Sequence, residues 1–327
     1  MRGALALAQK GAERVSPNPM VGALVVRGQQ VVGSGYHRIF GGPHAEVHAL
    51  RQAGAQARGA DLYVTLEPCS HHGKTPPCSV LIRQKGLRRV VVSNNDPFPS
   101  VNGKGIAQMQ EAGIEVEVGC LEEEGRQLNR RFFHYVNYRR PYVILKWAQS
   151  ADGFIDLERE PGDPEGPRWI SNEVCRTLVH KWRSEESAIM VGTNTILSDN
   201  PRLNVRRWSG EDPVRITLDR NGRLSDGANI FDGTQETIVF TGVKRKYTGK
   251  IQLVHADPSY EMVDVMEELF DRQIVSVFVE GGAELHRTFF ESGLWDEARV
   301  FTAPMLFGQG VKSPEIYEKA NKTLHLG

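Results

Sequence analysis

Apolar residues in this chain recur with two alternating periods, and their alternation predicts a layered α/β structure. Gly22-Ala23-Leu24-Val25-Val26 and Gln30-Val31-Val32-Gly33-Ser34-Gly35-Tyr36 flank Arg27-Gly28-Gln29 and predict a hairpin. His44-Ala45-Glu46-Val47-His48-Ala49-Leu50 reads as a helix, residues 60–66 as a strand, and the residues after Cys78 as a second helix. Strands at 89–93 and 114–118 enclose a helix around 105–112, and a further helix spans about 121–135. It gives way at Tyr138-Arg139-Arg140-Pro141, because a proline disfavours helix at the residue before it. That stop predicts two domains, 1–140 and 141–327. The second half reads as a strand at 142–148, an acidic Gly/Pro-rich loop at 158–167, a helix at 172–182, a strand at 187–191 and a short helix into Asp199-Asn200-Pro201. Strands at 214–218, 237–240 and 276–280 follow, the last entering Gly281-Gly282-Ala283-Glu284-Leu285-His286, a glycine turn that opens a helix.

Composition narrows the classes. With 327 residues, 40% of them hydrophobic and 24% charged, the chain has material for two cores. Forty basic residues balance forty acidic ones, so no global field recruits nucleic acid or anionic membrane, and neither is expected as a partner. No run approaches the ~20 apolar residues of a membrane span, so a cytoplasmic protein is expected. Of four cysteines, Cys120 and Cys175 read as buried free thiols of a reducing compartment.

The other two carry the chemistry. His44, Cys69 and Cys78 supply one imidazole and two thiolates, the donor set of a catalytic zinc that keeps one tetrahedral position for water. Glu46, two residues past His44, can reach that water without ligating, and Pro68 stands before Cys69 as in the H-x-E and P-C signature of zinc nucleobase deaminases. The second spacing is longer here, with eight residues between the cysteines. A structural zinc would call for four closed ligands, and a polynucleotide deaminase for a basic, aromatic-rich groove. Neither G-x-G-x-x-G nor a P-loop is present, so a standard dinucleotide or ATPase site is not expected.

Ser16-Pro17-Asn18-Pro19-Met20-Val21-Gly22, His44-Ala45-Glu46-Val47-His48-Ala49, Leu66-Glu67-Pro68-Cys69-Ser70-His71-His72-Gly73-Lys74-Thr75-Pro76-Pro77-Cys78, Asp199-Asn200-Pro201 and Val279-Glu280-Gly281-Gly282, in that order, resemble the bacterial bifunctional riboflavin-biosynthesis deaminase/reductase family. The resemblance covers nearly the whole chain. It implies a cytidine-deaminase-like zinc domain followed by a dihydrofolate-reductase-like α/β domain that uses NADPH, and a homo-oligomeric enzyme is expected. The implied first step is hydrolytic deamination of a pyrimidine ribotide, with Glu46 moving the proton, Asn18 hydrogen-bonding the pyrimidine and Lys74 at the ribose phosphate; His37, upstream of Gly41-Gly42, is a further candidate substrate contact. The implied second step reduces the ribosyl group to ribityl. Matching positions place Lys146, Arg183, Leu203, Arg206 and Glu280 at the substrate. Trp169, Thr195, Asp199 and the run Gly282, Ala283, Glu284, Leu285, His286, Arg287 and Thr288 are placed at the cofactor, with Asp199 as candidate proton donor. Three features depart from the family pattern: Phe98 stands where Asn is common, Pro167 where Ser is usual, and the chain stops at His325-Leu326-Gly327, short of the family's last strands.

Overall fold

The computed structural model describes all residues except 71–75, 100, 159–165, 167, 248, 258, 317, 318 and 327. It divides into two compact units, Met1–Arg139 and Arg140–Gly327. Among the described residues no helix is long and apolar enough to cross a membrane.

The first unit opens with helix α1 (Arg2–Ala8), then strands β1 (Gly22–Arg27) and β2 (Gln30–Tyr36), helix α2 (Ala45–Ala53), β3 (Asp61–Leu66) and α3 (Cys78–Lys85). It continues through β4 (Arg89–Asn94), α4 (Lys104–Glu111), β5 (Glu115–Val118), α5 (Glu122–Leu128) and α6 (Arg130–Tyr138). The sheet order is β2-β1-β3-β4-β5, with β1 antiparallel to β2 and β3, and β3, β4 and β5 parallel. Ala23, Val25, Leu62, Val64, Val90 and Val92 form the apolar face against which Ala49, Leu50, Ile82 and Met109 pack. Helix α2 lies unusually close to β2. A Cβ on Gly33 would sit 2.2 Å from the Ala49 carbonyl oxygen, and one on Gly35 2.4 Å from that of Ala45, so only glycine lets this helix settle on the strand.

Two expectations change here. The helix read at 121–135 is two helices broken at Asn129, whose amide clamps Met20, accepting its N–H at 2.8 Å and donating to its carbonyl at 2.8 Å. That long-range pair holds Asn129 at φ −103°, ψ 25°, outside the helical basin. His44, read as part of the helix, is instead its N-cap residue, with an extended ψ of 165°.

The second unit runs β6 (Tyr142–Ser150), β7 (Phe154–Asp156), α7 (Glu173–Glu185), β8 (Ala188–Gly192), α8 (Thr193–Asp199), β9 (Val214–Leu218), β10 (Thr237–Thr241) and β11 (Ile251–His255). Then come α9 (Met262–Asp271), β12 (Ser276–Val279), α10 (Ala283–Ser292), β13 (Glu297–Ala303) and β14 (Val311–Lys312). Its main sheet has the order β11-β10-β9-β8-β12-β6-β13, and every adjacent pair is parallel. β7 and β14 form a small antiparallel ribbon. The apolar run of β6 is continuous because both its faces are covered. Val143, Leu145 and Trp147 pack with α9 and α10 residues such as Val265, Leu269 and Phe289, while Ile144 packs with Val179 and Phe278.

Candidate active sites

In the first unit the sheet and two helix starts converge on three ligand atoms. His44 enters at the N-cap of α2, Cys69 follows the end of β3, and Cys78 is the first residue of α3. His44 Nδ1 lies 3.6 Å from Cys69 Sγ and 3.4 Å from Cys78 Sγ, and all three ligand atoms fall within 4.8 Å of one another. A tetrahedral zinc with Zn–S about 2.3 Å and Zn–N about 2.0–2.1 Å has an N···S edge of about 3.5 Å, so the trio fits that ion. The hydrogen bonds that Cys69 shares with Cys78 and His44 pull its thiol down, against the effect of burial, toward the thiolate that ligates, while the hydrogen bond with Cys69 and burial push the Cys78 thiol up, as two neighbouring thiols that share one proton do.

Glu46 lies in the first turn of α2, 3% exposed, and burial raises its carboxyl pKa. Its Oε2 has no hydrogen-bond partner among the described residues. A buried, unsatisfied carboxyl oxygen two residues from a metal ligand is suited to a proton carried by water or substrate. His37 hydrogen-bonds the Pro43 carbonyl through Nδ1 at 3.2 Å, which assigns the proton to that nitrogen and leaves Nε2 to accept from Asn18 Nδ2 at 3.1 Å. The His37 and His44 rings meet edge to face at 5.5 Å, so the structure brings Asn18 and His37 to the trio. Lys74 and its neighbours His71 and His72 lie outside the described residues. His48 stays on the helix face, apart from the metal group. Phe98, one of the departures, places its ring 5.7 Å from that of Phe132.

The second unit gathers charge around Glu280, which follows β12. Arg183 of α7 grips it with two bonds, Nε to Oε1 at 2.5 Å and Nη2 to Oε2 at 3.0 Å, while Lys146 Nζ of β6 lies 3.7 Å from Oε2. Against a burial that favours the neutral acid, the charges of Arg183 and Lys146 hold the Glu280 carboxyl below its usual range. Burial also pushes Lys146 down. His180, one turn before Arg183, accepts the Arg206 backbone N–H on Nδ1 at 3.3 Å, and burial lowers its pKa to about 4, so it serves as a neutral acceptor. Arg183 Nη1 also donates to the Asn204 carbonyl at 3.0 Å. Two residues of α7 thus strap the segment that carries Arg206, an exposed side chain. Sequence reasoning missed His180, whose only signal was its place one turn from Arg183.

Of the residues assigned to the cofactor, Thr195 meets the glycine turn: its Oγ1 lies 3.1 Å from where a Cβ on Gly281 or Gly282 would stand. Gly282 has φ 61° and caps α10, with Ala283 its first residue. Glu284 accepts from Asn194 Nδ2 at 3.0 Å, which ties α10 to α8. Trp169, which reads as core when taken alone, is 54% exposed, with the Arg176 guanidinium 4.6 Å from its ring. Asp199, half-buried, ends α8.

Three assigned positions turn away. Leu203, at φ 56°, is buried with Ile196, Leu224 and Ile230, so its side chain is core. Leu285 packs in the main core, and His286 is 1% exposed, with Nε2 on the Val279 carbonyl at 3.3 Å. The helical period that puts Leu285 and Phe289 inward leaves Glu284, Arg287 and Thr288 exposed. Arg287 faces Glu291 at 3.8 Å, and Thr288 Oγ1 donates to the Glu284 carbonyl at 3.0 Å. Pro167 lies outside the described residues.

Comparison with known proteins agrees with both halves. Residues 1–94 match the cytidine and deoxycytidylate deaminase zinc-binding region, and residues 141–326 match the RibD C-terminal domain. The riboflavin biosynthesis protein RibD of Bacillus amyloliquefaciens is 41% identical, over 97% of this chain and 86% of the relative. The crystal structure of a diaminohydroxyphosphoribosylaminopyrimidine deaminase/5-amino-6-(5-phosphoribosylamino)uracil reductase from Thermotoga maritima superposes with a TM-score of 0.86 at 40% identity, covering 95% of this chain and 88% of that one. Acinetobacter baumannii RibD gives the same TM-score at 36% identity, over 99% of this chain and 92% of its own. The chain belongs to the RibD family of riboflavin biosynthesis proteins.

Proposed function

We infer that this chain is a bifunctional riboflavin-biosynthesis enzyme, with residues 1–140 deaminating a diaminopyrimidinone ribotide and residues 141–327 reducing the ribosyl group of the product to ribityl with NADPH. The observation that carries the reading is the His44, Cys69 and Cys78 trio beside the buried, unpartnered Oε2 of Glu46. When bound, zinc supplies an acidified water and NADPH a hydride. The protein's own groups do the rest. Glu46 takes a proton on one side of the reaction and returns it to the departing amine, for which its burial-raised pKa suits it. Asn18, oriented by His37, presents its amide to the pyrimidine, and Lys74 meets the ribose phosphate. In the second unit Glu280 and Lys146 face the ribose while Arg183 and Arg206 hold its phosphate; Trp169, Thr195 and the backbone of the Gly282 turn hold the cofactor, and Asp199 donates the proton. The enzyme is cytoplasmic and homo-oligomeric, which sedimentation of the purified protein tests.

Chromatographic product analysis with the diamino ribotide, NADPH added or withheld, tests the pair of reactions: the deaminated ribotide accumulates without NADPH and the ribityl product forms with it. Failure of the first product to form without NADPH rules the deaminase assignment out. Cys69→Ser lowers zinc content well below one per chain and removes deamination, as metal analysis of protein purified without chelator would read. Arg206→Ala weakens the phosphorylated substrate far more than NADPH, since a charged hydrogen bond to phosphate contributes about 1.5–3 kcal/mol, roughly tenfold or more in Kd. Equal weakening of the two ligands in titrations would remove Arg206 from the phosphate site.

A further inference from the structure

Glu67 has no part in the chemistry described so far, yet it stands two residues before Cys69 and is 4% exposed. Its side chain accepts four backbone N–H groups. Oε1 takes those of Gly105 at 3.0 Å and Ile106 at 3.4 Å; Oε2 takes those of Gly103 at 3.0 Å and Asp96 at 3.4 Å. Three of the four are unpaired donors of the α4 N-terminus, which a helix must otherwise give to water or a cap. The backbone beside it is pressed against the same helix, for a Cβ on Gly105 would stand 2.0 Å from the Pro68 carbonyl oxygen. The other cysteine is tied to α4 as well: Ser79, next to Cys78, donates from Oγ to Gln108 Oε1 at 2.8 Å. Cys69 and Cys78 thus arrive from different elements, the end of β3 and the start of α3, and both rest on one helix that holds no ligand itself.

We propose that Glu67 is a positioning residue of the metal centre, acting through the α4 N-terminus to hold the Cys69 turn at ligating distance from His44 and Cys78, with Ser79–Gln108 as a second strut. The inference rests on the zinc reading above. In Glu67→Gln one acceptor oxygen becomes an NH2 that faces two backbone donors, so the cap opens on one side while side-chain volume is kept. Outer groups that orient metal ligands typically change affinity or activity by about 10–100-fold, and an effect of that size is expected here.

The test uses the full-length protein and measures the rate at which zinc passes to a colorimetric chelator, beside calorimetric unfolding and reductase turnover. Glu67→Gln should release zinc about tenfold faster or more, with deaminase kcat falling and reductase turnover unchanged. Gln108→Ala, an exposed helix position, should fold normally and accelerate release by a smaller factor. A merely structural role would lower the unfolding temperature and leave the release rate at the parental value; that result in folded Glu67→Gln overturns the proposal. If Glu67→Gln does not fold, Glu67→Asp, which keeps the carboxylate but shortens its reach to the α4 amides, decides instead: faster release upholds the proposal and parental release overturns it. Parent protein that binds no zinc would instead defeat the zinc reading itself.

Discussion

Glu46→Gln is expected to keep one zinc per chain and lose deamination by about 10²- to 10⁴-fold, the usual contribution of a positioned acid/base. The amide is nearly isosteric and Glu46 ligates nothing, so metal content should match the parent. Reduction of the already deaminated ribotide should proceed at the parental rate, because Lys146, Arg183 and Glu280 belong to the other unit. Separate assays of the two half-reactions read the split. Deamination retained to within a few fold would show that the proton is moved by another group, and the buried Oε2 would then need a different explanation.

The largest stability effect is expected from Glu280→Gln. Glu280 is the counter-charge to both Arg183 and Lys146, whose side chains are only 11% and 14% exposed. Removing one partner of a buried ion pair leaves uncompensated charge and typically costs 3–5 kcal/mol, so a loss of about 3 kcal/mol or more from the second unit is expected. All five tryptophans lie in that unit, so their fluorescence during denaturant unfolding of the full chain follows it selectively. A loss under about 1 kcal/mol would mean that the cluster behaves like a solvent-screened surface pair. Reductase activity should fall as well, with zinc content unchanged.

Local chemistry makes much of this molecule legible in its sequence. The hairpin around Gly28, the strand that delivers Cys69, the helix that begins at Cys78 and the glycine turn after Val279 all follow from short-range pattern and turn residues. The metal trio was legible because ligand type and a preceding proline are themselves the signal. What escaped depends on distant partners. The break at Asn129 is set by Met20, the importance of Glu67 by amides at residues 96–106, and that of His180 by the Arg206 amide. α1 escaped for another reason: it buries only Ala4 and Ala8, too thin an apolar stripe to stand out. α9 lacked the usual Ser/Thr/Asn cap signal, its capping box being built from Glu261 and Asp264. Motif order pointed to the run 282–288, yet only the helical period of α10 decides which of those side chains look inward.

The order of strands in the second sheet has a consequence for how the chain is made. β6 is the first strand of its unit to leave the ribosome, and its two neighbours, β12 and β13, are among the last. The first unit is complete by Arg139 and can close while synthesis continues. Val143, Ile144 and Leu145 have no lateral partner until residues 276–303 have emerged, and Asp296, which binds Arg140 and the Val143 N–H, arrives later still than β12. At about 5–20 residues per second that interval lasts roughly 7 to 30 seconds, during which an apolar parallel strand stands unpaired after the first unit is complete. The nascent chain is then most exposed to aggregation, and chaperones that shield apolar segments should matter more for the yield of the second activity than for the first.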